Sequence, residues 1–266
     1  MKRQFPVEFV FQIFSLFIAL ILVHTIYVTL VRPQAAEVLE LERQQLAQDV
    51  TYIPGRSIYV VIRDFEQEAC FVLMLWALAI MGYKGKATWR ERGLLERELV
   101  SVTEGTRILP EDAREYSRRI QALPAPLQRL LLPRCLLTAL HRFAATRNIN
   151  DVTMTAHDLC QAEADRLESE LSMIRYIAWA IPSIGFIGTV RGIGQALGLA
   201  YQAVEGNISG VTQSLGVAFN STFVALLLSL VLVFLMHQLQ LQQERLVLDT
   251  QDYCDEHLIR HLAING

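Results

Sequence analysis

Two long apolar stretches of this chain, Ile174 to Val204 and Gly206 to Met236, contain no aspartate, glutamate or histidine. Those side chains are the usual proton relays inside membranes. As membrane helices, the two stretches can line an ion path but cannot supply its titrating group, so a carboxylate is expected from another polypeptide. Charge is thin throughout, at 19% of residues with a net charge of -3, a balance that implies neither nucleic acid nor an acidic partner. Cysteine is sparse as well. Cys70 falls in a predicted span and Cys135, Cys160 and Cys254 in predicted cytoplasm, where thiols stay reduced, so no disulfide is expected. The chain lacks a glycine-rich nucleotide loop, a nucleophile triad and a metalloprotease helix, and an enzyme is not expected. His157-x-x-Cys160 beside Asp158 has no second pair at metal-ligand spacing, so neither metal nor cofactor is expected. Internal repeats and low-complexity segments are also missing.

What the chain has in abundance is apolar sequence. Hydrophobic residues make up 52%, mean hydropathy is +0.30, and the apolar runs reach the roughly 20 helical residues that cross a hydrocarbon core. The fold class expected is an all-α membrane protein: four transmembrane helices, with a cytoplasmic helical bundle formed by long helix extensions. The reading divides the chain into an N-terminus and first span (1–31), a periplasmic segment (32–63), a second span (64–83), a cytoplasmic helical domain (84–172), a third span (173–201), a periplasmic loop (202–210), a fourth span (211–237) and a cytoplasmic C-terminal helix (238–266). The second span is short, with Arg63, Asp64, Glu66 and Glu68 crowding its start and Tyr83-Lys84-Gly85-Lys86 forming a basic stop.

Orientation follows from the excess of Lys and Arg on cytoplasmic loops. Lys2 and Arg3 precede the first span, Lys84, Lys86, Arg90 and Arg92 follow the second, and Arg175 opens the third, whereas Gln202 to Gly210 has neither Lys nor Arg. Both termini are therefore expected in the cytoplasm. The first apolar run is too long for a signal-peptide core and lacks a small-residue cleavage site, so it is read as a span. Between spans, Gln34 to Asp49 reads as a short outer helix ending before the Pro54-Gly55 turn. Thr88 to Val102 reads as helix, with further helices opening at Pro110-Glu111-Asp112 and after Pro124-Ala125-Pro126. Asn150-Asp151 is a credible cap for a helix running from Val152 through Arg175 into the third span.

The third and fourth spans carry small residues at helical spacing, which mark close helix approach in lipid. Ala178, Gly185, Gly188, Thr189, Gly192 and Ala196 share one face of the third, at about 100° per residue. Gly210, Ser214, Ala218, Ser221, Thr222, Ala225 and Ser229 repeat the pattern in the fourth. Arg191 lies about 200° around the helix from Thr189; as an arginine within a span it is expected to snorkel or to pair with an acid, either Glu205 or one on a partner. His24 is expected at the interface or facing lipid near Tyr27.

Gly185-Phe186-Ile187-Gly188-Thr189-Val190-Arg191-Gly192-Ile193 resembles the GLLGTVxGI motif of the MotA/TolQ/ExbB proton-channel family. Leu215 to Ser229 resembles the family's following AFxTTxxALLLS-like helix. The similarity covers about Met173 to Gln240 and, more loosely, the second span with Trp76-Ala77-Leu78. Four spans resemble the flagellar stator arrangement, while the motif wording is closer to TolQ and ExbB, so the subfamily stays open. Arg191 departs from the apolar or aromatic residue commoner at its motif position.

The resemblance implies a pore-forming subunit of a proton-motive-force-driven rotary or energy-transducing complex in the bacterial inner membrane. It implies five copies around two copies of a single-span partner of the ExbD/TolR/MotB type, whose aspartate carries the proton. Thr189 matches the family threonine of the first pore helix. In the second, Ser221-Thr222 matches a Thr-Thr pair, or the register shifts so that a single threonine falls nearer Ala218; Thr222 is taken as path-lining with Ser221 in support. Gly185, Gly188, Gly192, Ser214, Ala218 and Ala225 form the packing or pore face, and Arg191 is a candidate ion pair with the partner. A Na+-driven version of the motor and a non-conducting membrane scaffold are the alternatives.

Overall fold

The computed structural model describes residues 7–48, 55, 57–100, 107–204, 206 and 208–264. Those residues are almost entirely helical. They comprise α1 (Val7–Ile26), a π-helical turn (Tyr27–Val31), α2 (Arg32–Gln48), α3 (Ile58–Ile62), α4 (Phe65–Leu95), α5 (Ala113–Gln121), α6 (Ala125–Gln128), α7 (Leu131–Thr146), α8 (Ile149–Glu170), α9 (Ser172–Gly198), α10 (Ala200–Val204) and α11 (Ser209–His257). Four helical stretches are long and apolar enough to cross a membrane, within Glu8–Gln45, Phe65–Leu95, Ile149–Gly198 and Ser209–His261. The protein is an all-α, multi-pass membrane protein. Two compact units share the chain: residues 1–82 with 173–236, and residues 83–172 with 237–266.

In the first unit, α1 packs on α4 through Ala19, Val23, Tyr27, Val31 and Val72, and the Trp76 indole N–H donates to the Gln12 carbonyl at 2.9 Å. The outer helix expected as a separate element follows α1 without a break. Pro33 has no N–H to donate, and the π turn just before it, closed by the Arg32 N–H on the Tyr27 carbonyl, lets the helix continue across the proline.

α9 carries Pro182 in its interior, which leaves the carbonyl four residues back, on Ala178, without its helical donor. The Ser229 hydroxyl of α11 donates to that carbonyl at 3.1 Å. A backbone group that lipid could not satisfy is thus satisfied by the neighbouring helix.

The second unit is a helical bundle whose core includes Ile108, Ile120, Leu136, Leu140 and Phe143, with Val247 and Cys254 from the end of α11 and Leu258 just after it. A parallel bridge joins Ile108 to Leu262, with the Ile108 N–H donating to the His261 carbonyl at 2.8 Å and the Ala263 N–H to the Ile108 carbonyl at 3.0 Å. Glu91 of α4 caps α7 from outside, accepting from the Leu131 N–H at 3.0 Å. That tertiary cap replaces a polar residue at position 130, where the chain has Leu. Lys84, Glu170, Arg166, Glu163 and Arg134 form a chain of ion pairs, with contacts of 2.8 Å at the Lys84 end and 2.6 Å at the Arg134 end.

Two helix boundaries differ from the sequence reading. The cap of α8 is Asn148, whose side chain accepts from the Asn150 N–H at 3.0 Å, two residues before the expected cap. α8 and α9 are separated at Leu171 where a single uninterrupted helix was expected. The helix expected at Thr88 to Val102 is the continuation of α4, which ends at Leu95, and Val102 lies outside the described residues.

Candidate functional site

The small-residue faces of α9 and α11 meet. Gly185, Gly188 and Gly192 are buried, as are Ser214, Ala218, Ser221 and Ala225. A Cβ at Gly188 would lie 2.5 Å from the Ser221 Cβ, and one at Gly192 would lie 2.7 Å from both the Cβ and backbone nitrogen of Ala218 and 2.8 Å from the Ser214 carbonyl. At Gly185 a Cβ would overlap that of Ala225. Successive glycines on α9 therefore match successive small residues on α11 in reverse order, an antiparallel seam that only bare backbone permits.

Thr189 and Thr222 sit within this seam, half-buried. Their hydroxyls contact each other. The Thr189 hydroxyl also reaches the Ala218 carbonyl at 3.0 Å and that of Gly185 at 3.3 Å; Thr222 reaches the Gly185 carbonyl at 3.3 Å. A hydroxyl has one hydrogen and two lone pairs, so Thr189 cannot donate along all three directions at once. Its proton has alternative acceptors within reach. Ser221 donates to the Val217 carbonyl at 2.9 Å.

A carboxylate of this chain also lies at the edge of the seam, supplied by α4 and not by α9 or α11. The start of α4 inserts one polar turn against the other spans. Glu66 accepts from Arg191 through both oxygens, at 2.6 Å from Nε and 2.7 Å from Nη2, and its Cγ lies 3.2 Å from a Cβ built on Gly188. Gln67 is fully buried; its Nε2 donates to the Val61 carbonyl at 3.0 Å and lies 3.4 Å from the Ser221 hydroxyl. Glu68 turns to the opposite side, where it accepts from Arg32 and from His24 Nδ1 at 2.7 Å. The Arg32 guanidinium also covers the Phe65 ring at 4.5 Å.

Arg191 thus finds its acid within this chain, on α4, and Glu205, the acid considered for it, lies outside the described residues. His24 is exposed, as expected for an outward-facing position, and its ring also hydrogen-bonds Glu68. The Arg191 pairing was missed because Glu66 sits in the charged start of the second span and looks like an interfacial edge. The signal that points to Glu66 is Arg191 itself, since an arginine within an apolar span requires a counter-charge. Ser229 was assigned to the small face, but its role depends on Pro182. His157 and Asp158 lie 3.8 Å apart on the surface, whereas Cys160 is buried, so this trio does not converge.

A multi-pass helical protein with a small-residue seam, paired hydroxyls and a compensated ion pair beside them has the parts of a membrane ion-translocating subunit. Residues 129–252 match the MotA/TolQ/ExbB proton channel family, which identifies this part of the chain, including α9 and most of α11, as a segment of that family. The family implies a channel or energy-transduction subunit linked to the proton-motive force. No curated protein matches the chain.

Proposed function

We propose that this protein is the pore-forming subunit of a proton-driven transducer in a bacterial inner membrane, with both termini cytoplasmic. In this reading five copies surround two copies of a single-span partner whose carboxylate carries the proton. The observation that carries it is the Thr189–Thr222 hydroxyl pair, set in a glycine seam and within the stretch that matches the proton-channel family. The hydroxyls stabilise the partner's carboxyl in both its charged and neutral forms, whereas a fixed charge at that point would hold it in one position.

The energy scale suits such a device. One charge crossing 100 mV is worth about 2.3 kcal/mol, enough to move a partner between nearly equivalent positions in a symmetric ring. Electron microscopy of the complex purified from its own cells through a tag on this chain tests the stoichiometry. Five copies around two helices support the proposal. A closed ring with lipid at its centre, and no proton flux after reconstitution, favours a non-conducting scaffold.

A further inference from the structure

Around the start of α4 the fixed charges balance. Asp64, Glu66 and Glu68 face Arg63, Arg191 and Arg32: Arg63 Nε and Arg191 Nη2 each lie 3.9 Å from Asp64 Oδ1, and the Glu66 and Glu68 pairs are those described above. The pairs are similarly accessible, with Arg32 and Glu68 30% and 12% exposed and Arg191 and Glu66 37% and 11%, but they are covered differently. The Arg32 guanidinium lies over the Phe65 ring, while Arg191 is engaged only through Nε and Nη2, and its Nη1 has no partner among the described residues. One side of the Arg191 guanidinium is therefore open to a second anion.

Next to it is an incomplete polar contact. Gln67 is 0% exposed, and the Val61 carbonyl fixes its amide so that nitrogen faces that oxygen. Its Oε1 is buried and accepts no hydrogen bond among the described residues. The same amide reaches Ser221, placing an unsatisfied acceptor at the edge of the hydroxyl seam. A buried acceptor left this way is costly unless a donor arrives. A protonated carboxyl is such a donor.

We infer that Arg191, Glu66 and Gln67 form a docking latch for the partner's carboxylate, in which Arg191 exchanges between Glu66 and that carboxylate. This rests on the function proposed above and adds to it a site on α4, outside the family-matched stretch. In one state Glu66 is ionised and holds Arg191, while the partner's carboxyl is protonated and donates to Gln67 Oε1, which is enclosed in this structure and becomes reachable when the Gln67–Ser221 contact parts. In the other, the partner's carboxylate holds Arg191 and Glu66 carries the proton. One carboxyl loses the proton that the other gains, so the net charge of the site is the same in both states. Asp64, with Oδ2 buried and unpartnered among the described residues, stays within reach of Arg191 and steadies it during the exchange. Exchange at constant charge avoids exposing an uncompensated ion to lipid.

The test uses the complex drawn from its own cells through a tag on this chain and reconstituted in vesicles, with proton entry reported by a trapped pH dye under an imposed potential. Glu66→Gln is expected to lower flux at least tenfold, because Arg191 then holds the partner's carboxylate permanently; Glu66→Asp is expected to retain most of it. The charge-swapped pair Glu66→Arg with Arg191→Glu restores an ion pair, and under the latch it assembles without regaining flux. Wild-type flux in the swapped pair, or in the neutral pair Glu66→Gln with Arg191→Gln, would show a purely structural staple and overturn the inference while leaving the channel reading intact. Absence of flux in the wild-type complex overturns the channel reading itself. A measurement that needs no variant is infrared difference spectroscopy of the wild-type complex with isotope-labelled glutamate during a potential step. A glutamate carboxyl band that gains a proton as another carboxyl loses one supports the latch, and the lack of any glutamate band overturns it.

Discussion

Thr189 and Thr222 share a carbonyl: the Gly185 oxygen lies 3.3 Å from each hydroxyl. Gly185 stands one helical turn before Thr189, as Ala218 stands one turn before Thr222. Each threonine therefore lies near its own helix's carbonyl or its neighbour's, and the two helices present hydroxyls to each other in equivalent positions. Thr189→Val and Thr222→Val keep the shape and remove the exchangeable proton. Both are expected to assemble normally, by size exclusion and native mass spectrometry, and to lose at least tenfold in proton flux. Thr189→Ser should retain most of the flux, and equal loss in Ser and Val would count against a role for the hydroxyl.

The glycine seam predicts a contrast along one helix. Gly192→Ala drives a methyl into the backbone of α11, and overpacking of this kind costs about 1–3 kcal/mol. Gly194 has nothing within 4 Å of a built Cβ, so Gly194→Ala should leave the melting temperature in detergent unchanged or slightly raised. Thermal unfolding of the two variants side by side checks the assignment of the seam.

Removal of the Ser229 hydroxyl strands the carbonyl that Pro182 exposes. Ser229→Ala is expected to cost roughly 0.6–2 kcal/mol, the range for polar contacts between membrane helices. In a Pro182→Ala background the Ala178 carbonyl regains a helical donor, and the same Ser229 substitution should then cost much less. A double-mutant cycle on thermal stability reads this coupling directly.

Much of this architecture is legible in sequence because its signals are periodic. Four apolar runs and two small-residue faces are properties of single helices, so Gly185, Gly188, Gly192, Ala218 and Ser221 can be placed on a seam without coordinates. The Glu66–Arg191 pair is different: its members are 125 residues apart, and no local pattern joins them. The Asn148 cap also eluded the pattern, since Asn148 and Asn150 offer the same chemistry and only backbone conformation distinguishes them. The π turn before Pro33 is a local adjustment that propensity does not encode.

Reactivity of the cysteines provides a separate check on the second unit. Cys135 and Cys254 are buried with their sulfurs 3.4 Å apart. The contact with Cys160 pulls the Cys135 thiol down, but the hydrogen bond with Cys254 and burial outweigh it and hold the thiol above its ordinary range. Since the thiolate is the reactive form, iodoacetamide at neutral pH should leave Cys135 unmodified in the native protein and label it only on unfolding. Rapid labelling by mass spectrometry under native conditions would refute this packing.

Replacing Glu91 removes the external cap of α7. Glu91→Ala leaves the Leu131 N–H without its acceptor and should destabilise the second unit by about 1–2 kcal/mol, while Glu91→Gln keeps an acceptor and should recover most of the loss. Hydrogen exchange at the first turn of α7 reports the local effect.

The charge-balanced turn at the start of α4 also bears on how the chain is made. Glu66 is synthesised long before Arg191, and during that interval the ribosome holds a nascent second span with an acid that has no counter-ion. Until the third span arrives, that acid is accommodated by protonation or by a position near the membrane surface. The Glu66–Arg191 pair therefore forms only when the third span is in place, so that integration into the bilayer is completed by folding instead of preceding it.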